Sequence, residues 1–152
     1  MELKVEGKNK KYAMHLKECY NGKYSDFSTF LLFKYEYILF SKVDSILSLN
    51  MNKLSNDSLS HLEIMGKIIT LLGERPDFIT SSTIDQFYIT DKVKLIEINI
   101  RLIKEKIVLY TKKMNVIDDK YIIEILEKFI IEERKNLKIL ELLQLKIKSN
   151  RL

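Results

Sequence analysis

The stretch HLEIMGKIITLLGERPDF, residues 61–78, is the part of the chain whose reading decides the fold. Leu62, Met65, Ile68, Ile69 and Leu72 recur at the three-and-four spacing that lines one face of an α-helix with apolar side chains. Gly73 follows where a left-handed C-terminal cap residue belongs, and Pro76 blocks continuation three residues later. A helix with such a stripe must bury it against other elements, and the flanking sequence supplies helices for that purpose.

Toward the N-terminus, Ser25 can cap a helix over residues 25–49 whose apolar residues run through Phe27, Phe30, Leu31, Tyr35, Ile38, Val43 and Ile46. The polar run SLNMNKLSND, residues 48–57, then reads as its connection to the second helix. Toward the C-terminus, residues 75–90 are rich in Ser, Thr and Asp and form the longest connection, long enough to cross the end of a bundle. Thr90 or Asp91 can cap a third helix carrying Ile96, Ile100, Ile103, Ile107, Tyr110 and Met114. The Asp118–Asp119 pair can cap a fourth, with Ile122, Leu126, Phe129, Ile130, Leu137, Leu140 and Leu143.

Composition agrees with an all-α chain of one domain. Of 152 residues, 46% are hydrophobic and 31% charged, and a single Pro with four Gly leaves little punctuation for the turns of a sheet protein. The organisation expected is a polar N-terminal arm over 1–20, an antiparallel four-helix bundle over 21–148 with a longer connection between its second and third helices, and a short tail over 149–152. Cys19 is the only cysteine, which excludes an internal disulfide and cysteine-based metal clusters and points to a reducing compartment. No segment approaches the roughly 18 apolar residues of a membrane span, and the first twenty residues lack the apolar run of a signal peptide, so a cytoplasmic protein is expected. The net charge of +5 raises nucleic acid as a partner. Its lysines are interleaved with acids, as in KLIEINIRLIKEK (94–106), which is the pattern of solvated helix faces, so nucleic acid binding through the basic arm and tail ranks last.

Two polar residues fall where helical period puts the core. His61 shares a stripe with Met65 and Ile68, and Glu133 lies between Phe129, Ile130 and Leu137. A buried carboxylate needs a partner, a metal or a proton. Asp26 and Asn136 are the partners in view, and a hydrogen-bonded cluster and a metal site both remain open on these residues alone. Tyr35, Tyr37 and Tyr110 border the same centre.

At this point the chain resembles a family. Residues 61–78 resemble the second helix of clostridial and bacillar ferritin-like proteins related to rubrerythrin and the manganese catalases. YNGKYSDFSTFLLFKYEY (20–37) resembles their first helix, NIRLIKEKIVLYTKKMNVIDDKYI (99–122) their third and FIIEERKNLKILELL (129–143) their fourth. The HLE…LG..P pattern and the IDD turn carry the specificity. The resemblance implies a ferritin-like bundle with two metals at its centre, held by one Glu from each of two helices and a Glu-x-x-His from each of the others.

Carried over residue by residue, that ligand set falls on Asp26, on Ser58-x-x-His61, on Ile103 and on Glu133-x-x-Asn136. Asp26, His61 and Glu133 survive as candidate metal ligands, while Ser58, Ile103 and Asn136 occupy lost ligand positions. A two-residue shift that puts Glu105 in place of Ile103 turns it about 200° around the helix. The expectation is therefore a bundle without a cofactor, acting as a non-enzymatic structural or interaction protein, with a homodimer or a protein partner and a spore coat as one concrete setting. The alternative implied by the resemblance is an iron- or manganese-dependent enzyme handling peroxide or oxygen. In a core without metal, Glu133→Gln is expected to be tolerated.

Overall fold

The computed structural model describes residues 2–77 and 91–150. Its helices are α1 (Lys10–Asn21), α2 (Asp26–Phe40), α3 (Ser45–Leu71), α4 (Lys92–Val116) and α5 (Lys120–Ser149). They form the expected antiparallel four-helix bundle because α1 and α2 make up one column. Contacts with α3 step down that column in reverse order. The Asn9 N–H donates to the Leu72 carbonyl at one end, Thr29 Oγ1 meets Ser58 Oγ in the middle, and Ser48 Oγ donates to the Tyr37 carbonyl toward the other end. α4 and α5 form the second hairpin, turning at residues 117–119.

Each helix starts at a side chain able to accept a hydrogen bond from its first turn. Asn9, Ser25, Asp44, Asp91 and Asp119 all cap in this way, each worth about 1 kcal/mol relative to Ala. α3 ends as its sequence requires. Gly73 adopts φ +96°, its N–H donates to the Thr70 carbonyl, and the Glu74 N–H reaches back to Ile69, the paired bonds that close a helix through a left-handed residue.

Two sequence expectations fail. Part of the stretch read as a polar arm is α1, which buries Ala13, Leu16, Cys19 and Tyr20. The first helix does not run over 25–49: the chain turns at residues 41–44, and the polar run 48–57 lies inside α3. Val43 and Ile46, expected in the core, are 72% and 52% exposed. The polar run is helical because its serines close the gap to α2, with Ser48 and Ser55 donating to the carbonyls of Tyr37 and Phe30. These tertiary bonds outweigh the modest helix propensity of Ser and Asn. Most of the connection expected at 75–90, including Thr90 as a cap, lies outside the described residues; Asp91 is the cap observed.

Among the described residues the core has two large apolar clusters with a polar slab between them, and a small third one of Leu32, Ile98 and Leu102. One large cluster gathers Leu16, Tyr20, Met65, Ile69, Ile122 and Phe129. The other large one gathers Phe33, Met51, Leu54, Ile96, Ile103 and Leu140 toward the opposite end. Among the described residues no helix is long and apolar enough to cross a membrane.

Candidate functional site

The slab is built from one or two residues of each column. The α1–α2 column breaks at residues 22–25, so the N-terminus of α2 opens at mid-bundle, with Ser25 as cap and Asp26 as the first helical residue. A carboxylate at that position interacts favourably with the helix dipole, and Asp26 is fully buried. α3 contributes Ser58 and His61, α4 contributes Lys106 and Tyr110, and α5 contributes Glu133, each no more than 1% exposed.

Lys106 is the centre of this group. Its Nζ lies 3.0 Å from Asp26 Oδ1 and 3.3 Å from Glu133 Oε1, and donates to Thr29 Oγ1 at 3.1 Å and Ser58 Oγ at 3.3 Å. Thr29 and Ser58 are themselves 3.0 Å apart. The Tyr110 hydroxyl donates to Asp26 Oδ1. Two carboxyl groups, three hydroxyls and one ammonium therefore form a knot tying α2, α3, α4 and α5 together.

His61 connects the knot to the surface. Its ring stacks on Phe129 with centroids 4.0 Å apart, which aims Nδ1 inward, 3.3 Å from Glu133 Oε1 and 3.8 Å from Asp26 Oδ1. The Nδ1 contacts are ion-pair distances outside hydrogen-bonding geometry. Nε2 is hydrogen-bonded to Glu132, whose side chain is 41% exposed.

The electrostatics follow from this geometry. Burial works against a charged imidazole, but Glu132, Glu133 and Asp26 together raise His61 to about 9, so it is a cation at neutral pH. Burial likewise opposes the Lys106 ammonium, and the Glu133 and Asp26 carboxylates overcome it, holding its pKa above the usual lysine value. Burial pushes the Glu133 carboxyl up, but Lys106 and His61 pull it below the ordinary range. Burial, then Asp26 and Glu133, keeps the Tyr110 phenol protonated. The slab thus pairs Asp26 and Glu133 with two internal cations, Lys106 and His61. Burial also keeps the Cys19 thiol protonated.

Of the six positions carried over from the sequence, the structure gathers Asp26, Ser58, His61 and Glu133 around Lys106. Ile103 is 1% exposed and belongs to the apolar cluster beside the slab. Asn136 is buried but turned away from His61 and Glu133: its Oδ1 accepts from Lys53 at 2.9 Å and its Nδ2 donates to Asp57 at 3.1 Å. Of the three tyrosines expected at the centre, Tyr110 reaches Asp26, whereas Tyr37 packs on the apolar cluster away from it. Lys106 and Glu132 were missed. Lys106 lies three residues after Ile103 and four before Tyr110, on the same helix face, and that spacing was the available signal. Among the described residues, no group of three or more His, Cys, Asp or Glu is arranged to hold a metal ion.

No protein-family model matches this sequence, and no curated protein matches it significantly. Solved structures do match its fold. A manganese catalase from Anabaena superposes with TM-score 0.75 at 18% identity, over 94% of this chain and 77% of that one. A bacterioferritin from Desulfovibrio desulfuricans, described with a diiron site, superposes with TM-score 0.79 at 17% identity, over 91% of this chain and 81% of that one. Both neighbours are ferritin-like proteins, and the fold of this chain is the ferritin-like four-helix bundle.

Proposed function

We propose that this chain is a metal-independent ferritin-like bundle that works through its surface, as a structural or interaction protein, and that its centre is an ion network rather than a catalytic cofactor site. The observation that carries the reading is the placement of the Lys106 ammonium between Asp26 and Glu133. A metal pair held by carboxylates needs those oxygens, and a protonated amine already occupies their inner face with no lone pair to offer a metal. Ser58 and Ile103 supply no carboxylate, and Asn136 is engaged with Lys53 and Asp57. The residues present do not fit a two-metal centre, and Asp26 and Glu133 serve as counterions of Lys106 and His61.

Surface features favour a partner protein or a second copy. Ile38, Val43, Ile46 and Leu49, beside the turn between α2 and α3, are all more than half exposed, as are Leu142 and Leu145 late in α5. Membership of a spore coat is one setting for such a bundle. The test is metal content of protein purified without chelators, beside its thermal melt before and after chelation. Substoichiometric iron and manganese with an unmoved midpoint are expected. About two metals per chain, as in the intact ligand arrangement, with melting lowered by chelation, would establish the peroxide- or oxygen-handling enzyme instead.

A further inference from the structure

Away from the slab, a second buried polar pair joins α2 to α4. Glu36 and Asn99 are each 1% exposed. The Asn99 amide donates to Glu36 Oε2 at 2.8 Å and also points at Met51 Sδ, 3.5 Å away. Two oxygens remain, Glu36 Oε1 and Asn99 Oδ1, both buried without a partner among the described residues. Around them is the apolar cluster of Phe33, Phe40, Met51 and Leu140. Among the described residues, no charged or titratable group of α3, α4 or α5 shifts the Glu36 carboxyl, which responds to burial and to the Asn99 amide.

An ionised Glu36 would be an unpaired charge in an apolar layer, while Asn99 Oδ1 would still lack a donor. A single proton resolves both defects, turning one unpartnered acceptor into a donor and supplying the other with a bond. We propose that Glu36 is a neutral carboxylic acid whose Oε1–H donates to Asn99 Oδ1, completing a two-bond clasp between α2 and α4 that opens when the proton leaves. The bundle thereby carries a pH-sensitive element independent of the Lys106 knot.

Burial raises the Glu36 carboxyl from 4.5 to about 8, against the smaller opposing effect of the Asn99 bond. Because the folded state holds this proton more tightly than the unfolded chain, the contribution of Glu36 to stability falls as pH rises from about 4.5 to about 8 and is level above that. Glu36→Gln keeps both bonds without a titrating proton. The difference in melting temperature between Glu36→Gln and wild type should therefore grow in favour of the variant across this window and then stop growing. Infrared spectroscopy of the wild type provides a reading that needs no variant. At pH 7 ordinary carboxyls are ionised, so the carbonyl band of a protonated acid, shifted in D2O and lost as pH passes through about 8, is expected from Glu36. Absence of that band, or parallel pH profiles for the two proteins, would overturn the proposal.

Discussion

Lys106 changes what the surrounding residues mean. As a lone acid in a core, Glu133 gains nothing from its charge, and Glu133→Gln is expected to be tolerated. Paired with Lys106 at 3.3 Å and His61 at 3.3 Å, the same carboxylate is needed, because its removal leaves both buried cations short of counter-charge, with Asp26 the buried carboxylate still beside them. Glu133→Gln should therefore lower the unfolding free energy by about 3–5 kcal/mol, read as a lower urea midpoint at unchanged slope. A midpoint within error of wild type would show that Lys106 does not depend on Glu133. Glu133 and His61 were legible because polar residues stood on apolar stripes. Lys106 was not, since it ends the run KLIEINIRLIKEK, where alternating charge reads as a solvated face. A lysine is almost never fully buried unless paired, and its long apolar stem suits either environment. Only the third dimension shows that Asp26 and Glu133 are there to receive it.

At the scale of elements, the third and fourth helices and the end of the second were legible in their stripes, caps and stop signals, as was the Ser25 cap of the first, whereas the end of the first and the start of the second were misplaced. Between Phe27 and Ile46 apolar residues continue without a gap, so the turn at 41–44 left no mark in the pattern except the cap Asp44. In α1 the buried Ala13, Leu16, Cys19 and Tyr20 are spaced helically but are matched in number by the charged Lys10, Lys11, Lys17 and Glu18. The break between α1 and α2 matters most, because it delivers the α2 N-terminus and Asp26 to the slab. Gly22 is what allows it: a Cβ there would lie 2.6 Å from the Glu18 carbonyl oxygen, a backbone atom that cannot move aside. Gly22→Ala should destabilise the protein by about 1–3 kcal/mol, the range for overpacking a fixed site. Unchanged stability would mean that the break tolerates a different path.

For the whole molecule, the four-helix bundle was legible because helical period, caps and turn signals agreed over most of the chain, and its ferritin-like kind was legible through the resemblance of residues 20–143. The chemistry at its centre was legible only in part, since a ligand pattern shows which donors are missing but not what has replaced them. If Lys106 is the cation that stands in for metal, restoring donors at Ser58, Ile103 or Asn136 is not the first requirement; removing the ammonium is. Lys106→Ala leaves Asp26, His61 and Glu133 facing a space without a positive charge of its own. The most direct measurement is the thermal midpoint of wild type and Lys106→Ala across a manganese(II) titration. The variant should melt below wild type without metal and recover as metal is added, by an amount that grows with concentration as for any ligand bound only by the folded state. The wild-type midpoint should stay fixed. A wild type that gains stability with manganese as the variant does would show that its carboxylates remain open to metal, and would contradict the account.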